Sequence, residues 1–194
     1  MLSDLHDDKS AIRLPGVVAI GFTGHRSLPN EDASRKLIYD FLAEKKRGTA
    51  EILLGVSSVA AGGDLLFAES CLALDIPLRV LLPLAREEFQ KDFVAATWSR
   101  AELAMGRAVS VEVIGTDGPR NERYYECGLK TVLESEWLIG LWNGEPAQGL
   151  GGTEQILTFA RDIGRPVVWI HSVTGEVKLF GEKKVPAIEV DAEL

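Results

Sequence analysis

The feature that most constrains this chain is an alternation. Short apolar runs rich in β-branched residues each lead into a turn, and the turn into a segment whose apolar residues recur every three or four positions. A continuous apolar run marks a strand covered on both faces, and spacing of three and four marks one face of a helix. Residues 17–22 form the first such run and lead into Thr23-Gly24-His25-Arg26. Residues 30–46 are a predicted helix with Leu37, Ile38, Phe41 and Leu42 at helical spacing, Asn30 or Asp32 to cap it and Gly48 after its end. The pattern repeats as a strand at 51–59, the turn Ala60-Ala61-Gly62-Gly63-Asp64 and a helix at 65–74. Residues 78–84 give a third strand, 87–105 one long helix and 110–114 a fourth strand. A helix at 120–136, a strand at 137–142, a helix from about 154 to 163 opened by Gly149-Leu150-Gly151-Gly152-Thr153, and a strand at 166–170 complete the series. The tail, 177–190, is expected as a hairpin or an edge strand.

Strands that alternate with helices and are apolar on both faces build a parallel sheet wound with helices on both sides. The expected fold is therefore α/β, a Rossmann-like doubly wound, mainly parallel sheet of about six strands. A chain of 194 residues, 46% of them hydrophobic, can fill one such core, so residues 15–194 are expected as a single domain. Residues 1–14, with Asp4, Asp7 and Asp8 and no apolar run, are expected as a flexible lead-in. The longest apolar stretches fall well short of the roughly 20 residues of a membrane span, so no membrane partner and a cytoplasmic location are expected. Cys71 and Cys127 form no CxxC pair, and His6, His25 and His171 are scattered, so two reduced buried thiols, no metal and no cofactor are expected. The formal charge of −8, from 21 basic and 29 acidic side chains, argues against a broad phosphate-backbone footprint and hence against nucleic acid as a partner.

Ligands of open α/β sheets bind beyond the carboxyl ends of the strands, where the winding reverses, and each glycine cluster here follows such an end. In the first turn, Gly21 and Gly24 allow close backbone approach, while Thr23 and Arg26 offer a hydroxyl and a forked cation to phosphate oxygens. His25 could stack on a base or ribose, or hydrogen-bond a neighbouring loop. In the second turn, Gly62 and Gly63 could bring backbone N–H groups to a ligand, and Asp64 could accept a ribose hydroxyl or simply cap a helix. Gly151, Gly152 and Thr153 combine bare backbone, a hydroxyl and a helix start into an anion site. Glu154, in the first helical turn, would face a ribose, and Asn143 follows the fifth strand. Arg123 or Tyr124 could reach a nucleotide from the side, although most arginines on a helix face are solvated. The sequence contains no GxxxxGK[ST], no GxGxxG after the first strand and no GxSxG, which argues against a P-loop enzyme, an ordinary dinucleotide dehydrogenase and a serine hydrolase.

In their order and spacing, Ile20-Gly21-Phe22-Thr23-Gly24-His25-Arg26, Ala61-Gly62-Gly63-Asp64, Leu141-Trp142-Asn143-Gly144 and Gly151-Gly152-Thr153 resemble the SLOG superfamily of Rossmann-like domains. That superfamily groups the DNA-processing protein A family, the LOG (lysine-decarboxylase-like) phosphoribohydrolases and nucleotide sensors. The resemblance implies binding or sensing of a nucleotide-derived small molecule, such as ADP-ribose or a cyclic nucleotide, and pairing as a homodimer. Two alternatives follow from it: a LOG-type nucleotide N-glycosidase, and nucleic-acid binding of the DNA-processing kind. The LOG motif PGGxGTxxE supplies a glutamate three positions after its threonine. Here Gly152-Thr153 matches, but Ile156 stands at that position, which leaves only Glu154 and Asp64 as weak catalytic candidates.

Overall fold

The computed structural model describes residues 15–115, 117–146 and 149–181. Its strands are β1 (Val17–Gly24), β2 (Ile52–Ser57), β3 (Leu78–Leu82), β4 (Ser110–Val113), β5 (Trp137–Trp142), β6 (Val167–His171) and β7 (Val177–Phe180). Its helices are α1 (Glu31–Arg47), α2 (Gly63–Ala73), α3 (Arg86–Phe89), α4 (Ala95–Arg107), α5 (Arg120–Leu133) and α6 (Thr153–Asp162). The strands form one sheet in the order β4-β3-β2-β1-β5-β6-β7, parallel from β4 to β6, with β7 antiparallel to β6. This is the expected Rossmann-like architecture. The chain runs outward from β1 to β4 and returns to the other side of β1 as β5, so the winding reverses between β1 and β5.

Local chemistry explains the elements. Asn30 caps α1, its side-chain oxygen accepting the Ala33 N–H at 3.0 Å. Glu31 and Asp32 sit in the first turn of α1 and Lys45, Lys46 and Arg47 in the last, each favourable to the helix dipole. Ile38 and Leu42 are fully buried. β1 buries residues 19–22, as a central strand must, and Phe22 stacks on Phe67 of α2 with ring centroids 4.9 Å apart. Both cysteines are buried and free.

Two expectations change. The helix read at 87–105 is broken: α3 ends at Phe89, a 3-10 turn covers Gln90–Asp92, and Phe93 is extended (φ −120°, ψ 149°) before α4. Phe93 packs edge-on against Phe89 (4.9 Å) and Trp98 (5.3 Å), and this aromatic contact overrides helical periodicity. β4, read as covered on both faces, is exposed along its length because it lies at the sheet's edge with β3 as its neighbour. The tail supplies the expected edge strand as β7, which makes seven strands with the six read along the chain; residues 182–190 of that tail, like the lead-in at 1–14, lie outside the described residues. No described helix is long and apolar enough to cross a membrane.

Gly140 in the middle of β5 sets how closely α6 approaches the sheet. An added Cβ would fall 2.9 Å from Leu157 Cδ1 and 3.1 Å from its Cγ, inside contact distance, and Leu157 is itself buried. Gly140→Ala should lower stability by about 1–3 kcal/mol through overpacking, read as a lower urea midpoint with an unchanged slope.

Candidate functional site

The turn after β1 is held from two sides. The His25 N–H donates to Leu141 O at 3.1 Å, tying the turn to β5, and the Gly63 N–H donates to His25 O at 3.0 Å, tying it to the start of α2. Gly62, with φ +89°, passes so close that an added Cβ would lie 2.6 Å from the Arg26 carbonyl carbon. The His25 ring adds a third tie: its Nε2 lies 2.9 Å from Asn143 Oδ1 and 3.1 Å from the Asn143 N–H. Of the two roles open to His25, the loop contact is the one made. The Gly63 N–H is likewise engaged by the protein, so this turn shapes the rim by supporting residues 25–26.

Two of the three glycine turns meet here, and the third, at Gly62 and Gly63, backs them. A groove of about 420 Å³ lies at the β1/β5 reversal, bounded by residues 24–27, by Trp142, Asn143 and Glu145, and by residues 151–154 at the start of α6. Helix starts leave first-turn N–H groups without carbonyl partners. In α6 the Gln155 and Ile156 N–H groups reach Gly152 O, and the Gly151 N–H donates to Gln155 Oε1 at 2.8 Å. The Thr153 and Glu154 N–H groups are those the helix leaves at its open end, where the dipole favours an anion. Thr153 is buried, and Glu154 accepts from the Thr158 hydroxyl at 3.2 Å.

A smaller space of about 80 Å³ continues inward past Thr23, Gly24, Arg26 and Thr153 to Asp64. Asp64 does not cap α2; Gly62 occupies the cap position, and the carboxylate turns back to accept from Ser58 Oγ at 2.9 Å. Burial pushes the Asp64 carboxyl up to about 6, against the opposing pull of Ser58, the Arg26 charge and the Gly24 backbone. Gly21 lies apart, inside β1, where an added Cβ would sit 3.0 Å from Ser135 Cβ. The two weak catalytic candidates face different spaces, Glu154 the larger and Asp64 the smaller. Ile156, at the position of the LOG glutamate, is buried.

Arg26 lines both of these spaces, as does Thr153. It is half exposed, its guanidinium lies 4.7 Å above the Tyr124 ring, and its Nη1 is 3.4 Å from Asp92 Oδ2. Asp92 also accepts from Arg120 and from the Tyr124 hydroxyl. Arg123 turns away from the groove and donates to Glu88 at 2.8 Å. The residues that sequence reasoning missed are Ser58 and Asp92. Ser58 was detectable, since Ser57-Ser58 sits at the carboxyl end of β2 just before a glycine turn. Asp92 lies 66 positions from Arg26 on a segment read as plain helix, and no local signal marks it. A separate cavity of about 360 Å³ lies near the other end of the sheet, lined by Phe41, Lys45 and Trp137 among others, away from the glycine turns. Among the described residues no three His, Cys, Asp or Glu side chains group as a metal site.

The raised Asp64 carboxyl favours the protonated form in the folded state. Its contribution to stability is complete below the unfolded value near 3.8 and is lost as pH rises through about 6. Asp64→Asn, a neutral near-isostere, should therefore match the natural chain near pH 4 and exceed it at pH 7.5 by up to about 3 kcal/mol. Urea unfolding at the two pH values measures this.

No family model matches the sequence, and no curated protein does. Its fold is shared with solved structures, among them two of DNA processing protein A. DNA processing protein A from Streptococcus pneumoniae superposes with a TM-score of 0.54 at 16% identity, over 79% of this chain and 50% of that one. The same protein from Helicobacter pylori gives 0.52 at 15% identity, over 83% of this chain and 68% of that one. The chain thus spans about half the length of the S. pneumoniae protein, and at these identities the likeness is one of fold. The H. pylori protein was solved for its single-stranded DNA binding mode. That finding corrects the expectation that nucleic acid is an unlikely partner. A net charge sums the whole surface and does not report local pairs: beside the groove Arg26 and Arg120 meet Asp92, and Glu145 and Glu154 line the groove itself.

Proposed function

We propose that the groove at the β1/β5 reversal binds the phosphate of a nucleotide, free or as one unit of a single DNA strand. The observation that carries this reading is the convergence of Arg26 and the open start of α6 on one groove of about 420 Å³. A guanidinium fork and first-turn N–H groups both suit phosphate oxygens. Glu145 and Glu154 also line the groove, where carboxylates suit ribose hydroxyls and repel a second phosphate. The free-nucleotide form fits the motif resemblance, and the single-strand form fits the fold shared with the H. pylori protein.

Calorimetric titration with AMP, ADP-ribose and cyclic AMP, beside fluorescence anisotropy of a labelled oligothymidine strand at moderate salt, separates the two sources. Binding of at least one probe is expected. Arg26→Ala should weaken it about tenfold or more, the loss of a charge-assisted contact, with little change in melting temperature because Arg26 is half exposed. Absence of binding by every probe at millimolar concentration would overturn the reading.

A further inference from the structure

Beside the phosphate groove, and sharing Arg26, Gly151 and Gly152 with it, lies a second and more open space of about 550 Å³. Its cations are not free. Asp92 accepts from Arg120 through Oδ1 and from the Tyr124 hydroxyl through Oδ2, and the same Oδ2 lies 3.4 Å from Arg26 Nη1. Donors from two elements, the end of β1 and the start of α5, thus converge on one carboxylate from a third, the 3-10 turn after α3. Two guanidinium groups and a phenol around paired anionic oxygens form the donor set that a phosphate would use.

Asp92 is also placed to be exchanged. The turn that carries it is anchored by neighbouring apolar residues, Phe89 being fully buried and Phe93 packed on Trp98, so a rotation of the Asp92 side chain alone releases the donors without unpacking the segment. Arg120 keeps a partner in Glu88 at 2.8 Å, which holds its guanidinium at the groove wall when Asp92 leaves.

We infer that Arg26, Arg120 and Tyr124 form a second anion subsite, filled by the chain's own Asp92 until the second phosphate of a phosphodiester- or pyrophosphate-linked ligand displaces it. This rests on the phosphate reading of the first groove and adds to it a selection for ligands with two phosphate groups. Asp92 is then a specificity-determining residue: it screens the subsite from weak anions and yields to a ligand already held at the start of α6.

The test compares AMP, 5′-phosphorylated adenine dinucleotide and ADP-ribose by calorimetry on the natural chain, Asp92→Asn and Arg120→Ala. Asp92→Asn should tighten the dinucleotide, ADP-ribose or both about tenfold, since a competing carboxylate is gone, and tighten AMP clearly less, because AMP gains only a freer Arg26 and not Arg120 and Tyr124. Arg120→Ala should weaken the same two-phosphate ligands about tenfold and leave AMP unchanged, which keeps the inference testable if Asp92→Asn does not fold. The arm that responds names the linkage. An equal gain for AMP in Asp92→Asn, or no change for either two-phosphate ligand in both variants while AMP still binds, would overturn the subsite and leave the first groove standing. If AMP and both two-phosphate ligands fail to bind all three chains, the phosphate reading itself falls and the subsite with it.

Discussion

The peptide unit of His25 is grasped at both ends, its N–H by the Leu141 carbonyl and its carbonyl oxygen by the Gly63 N–H. The groove depends on these two backbone bonds more than on any side chain. They close the gap that the winding reversal opens between β1 and β5 and lock the β2–α2 turn underneath. The close passage of Gly62 leaves no room for the turn to shift, and Arg26 is presented outward as a result. A parallel sheet supplies such a crevice by topology alone. What this chain adds is a turn after β1 rigid enough for one arginine to serve several adjoining spaces.

Two carboxylates flank that arginine and act differently because of where they sit. Asp64 is buried beneath it, bound to Ser58 and pushed toward its neutral form by the loss of water. Asp92 is nearer the rim, where it pairs with the guanidinium groups of Arg26 and Arg120. The charge at this site is thus set by local pairs, which a sum of charges along the chain does not resolve.

Much of the fold was legible because strand and helix signals rest on short-range rules. The apolar run at 17–22, the Asn30 cap and the glycines after β1, before α2 and before α6 each specify local geometry, and the structure brings the turns at Gly24, Gly63 and Gly152 together. The failures came from side-chain contacts and strand order that periodicity does not encode. Phe93 leaves the helical path to meet Trp98, which periodicity cannot foresee. The exposure of β4 follows from strand order, and a single strand's composition does not encode that. Of the roles open to Asp64, the cap is not made, because its carboxylate accepts from Ser58, six positions earlier in the turn after β2. The pairing of Asp92 with Arg26, Arg120 and Tyr124 joins three elements and leaves no trace in spacing.

The prior occupation of Arg26 and Arg120 by acidic side chains bears on how ionic strength acts. Naked cationic surfaces gather strands by expelling condensed counterions from the polymer, and their affinity collapses steeply as salt is added. On the reading proposed above, an arriving anion would exchange with a carboxylate tethered to the protein, and few guanidinium charges would be left over to neutralise further phosphates. Its association would then be governed by fit within the crevice, with a shallow dependence on added electrolyte.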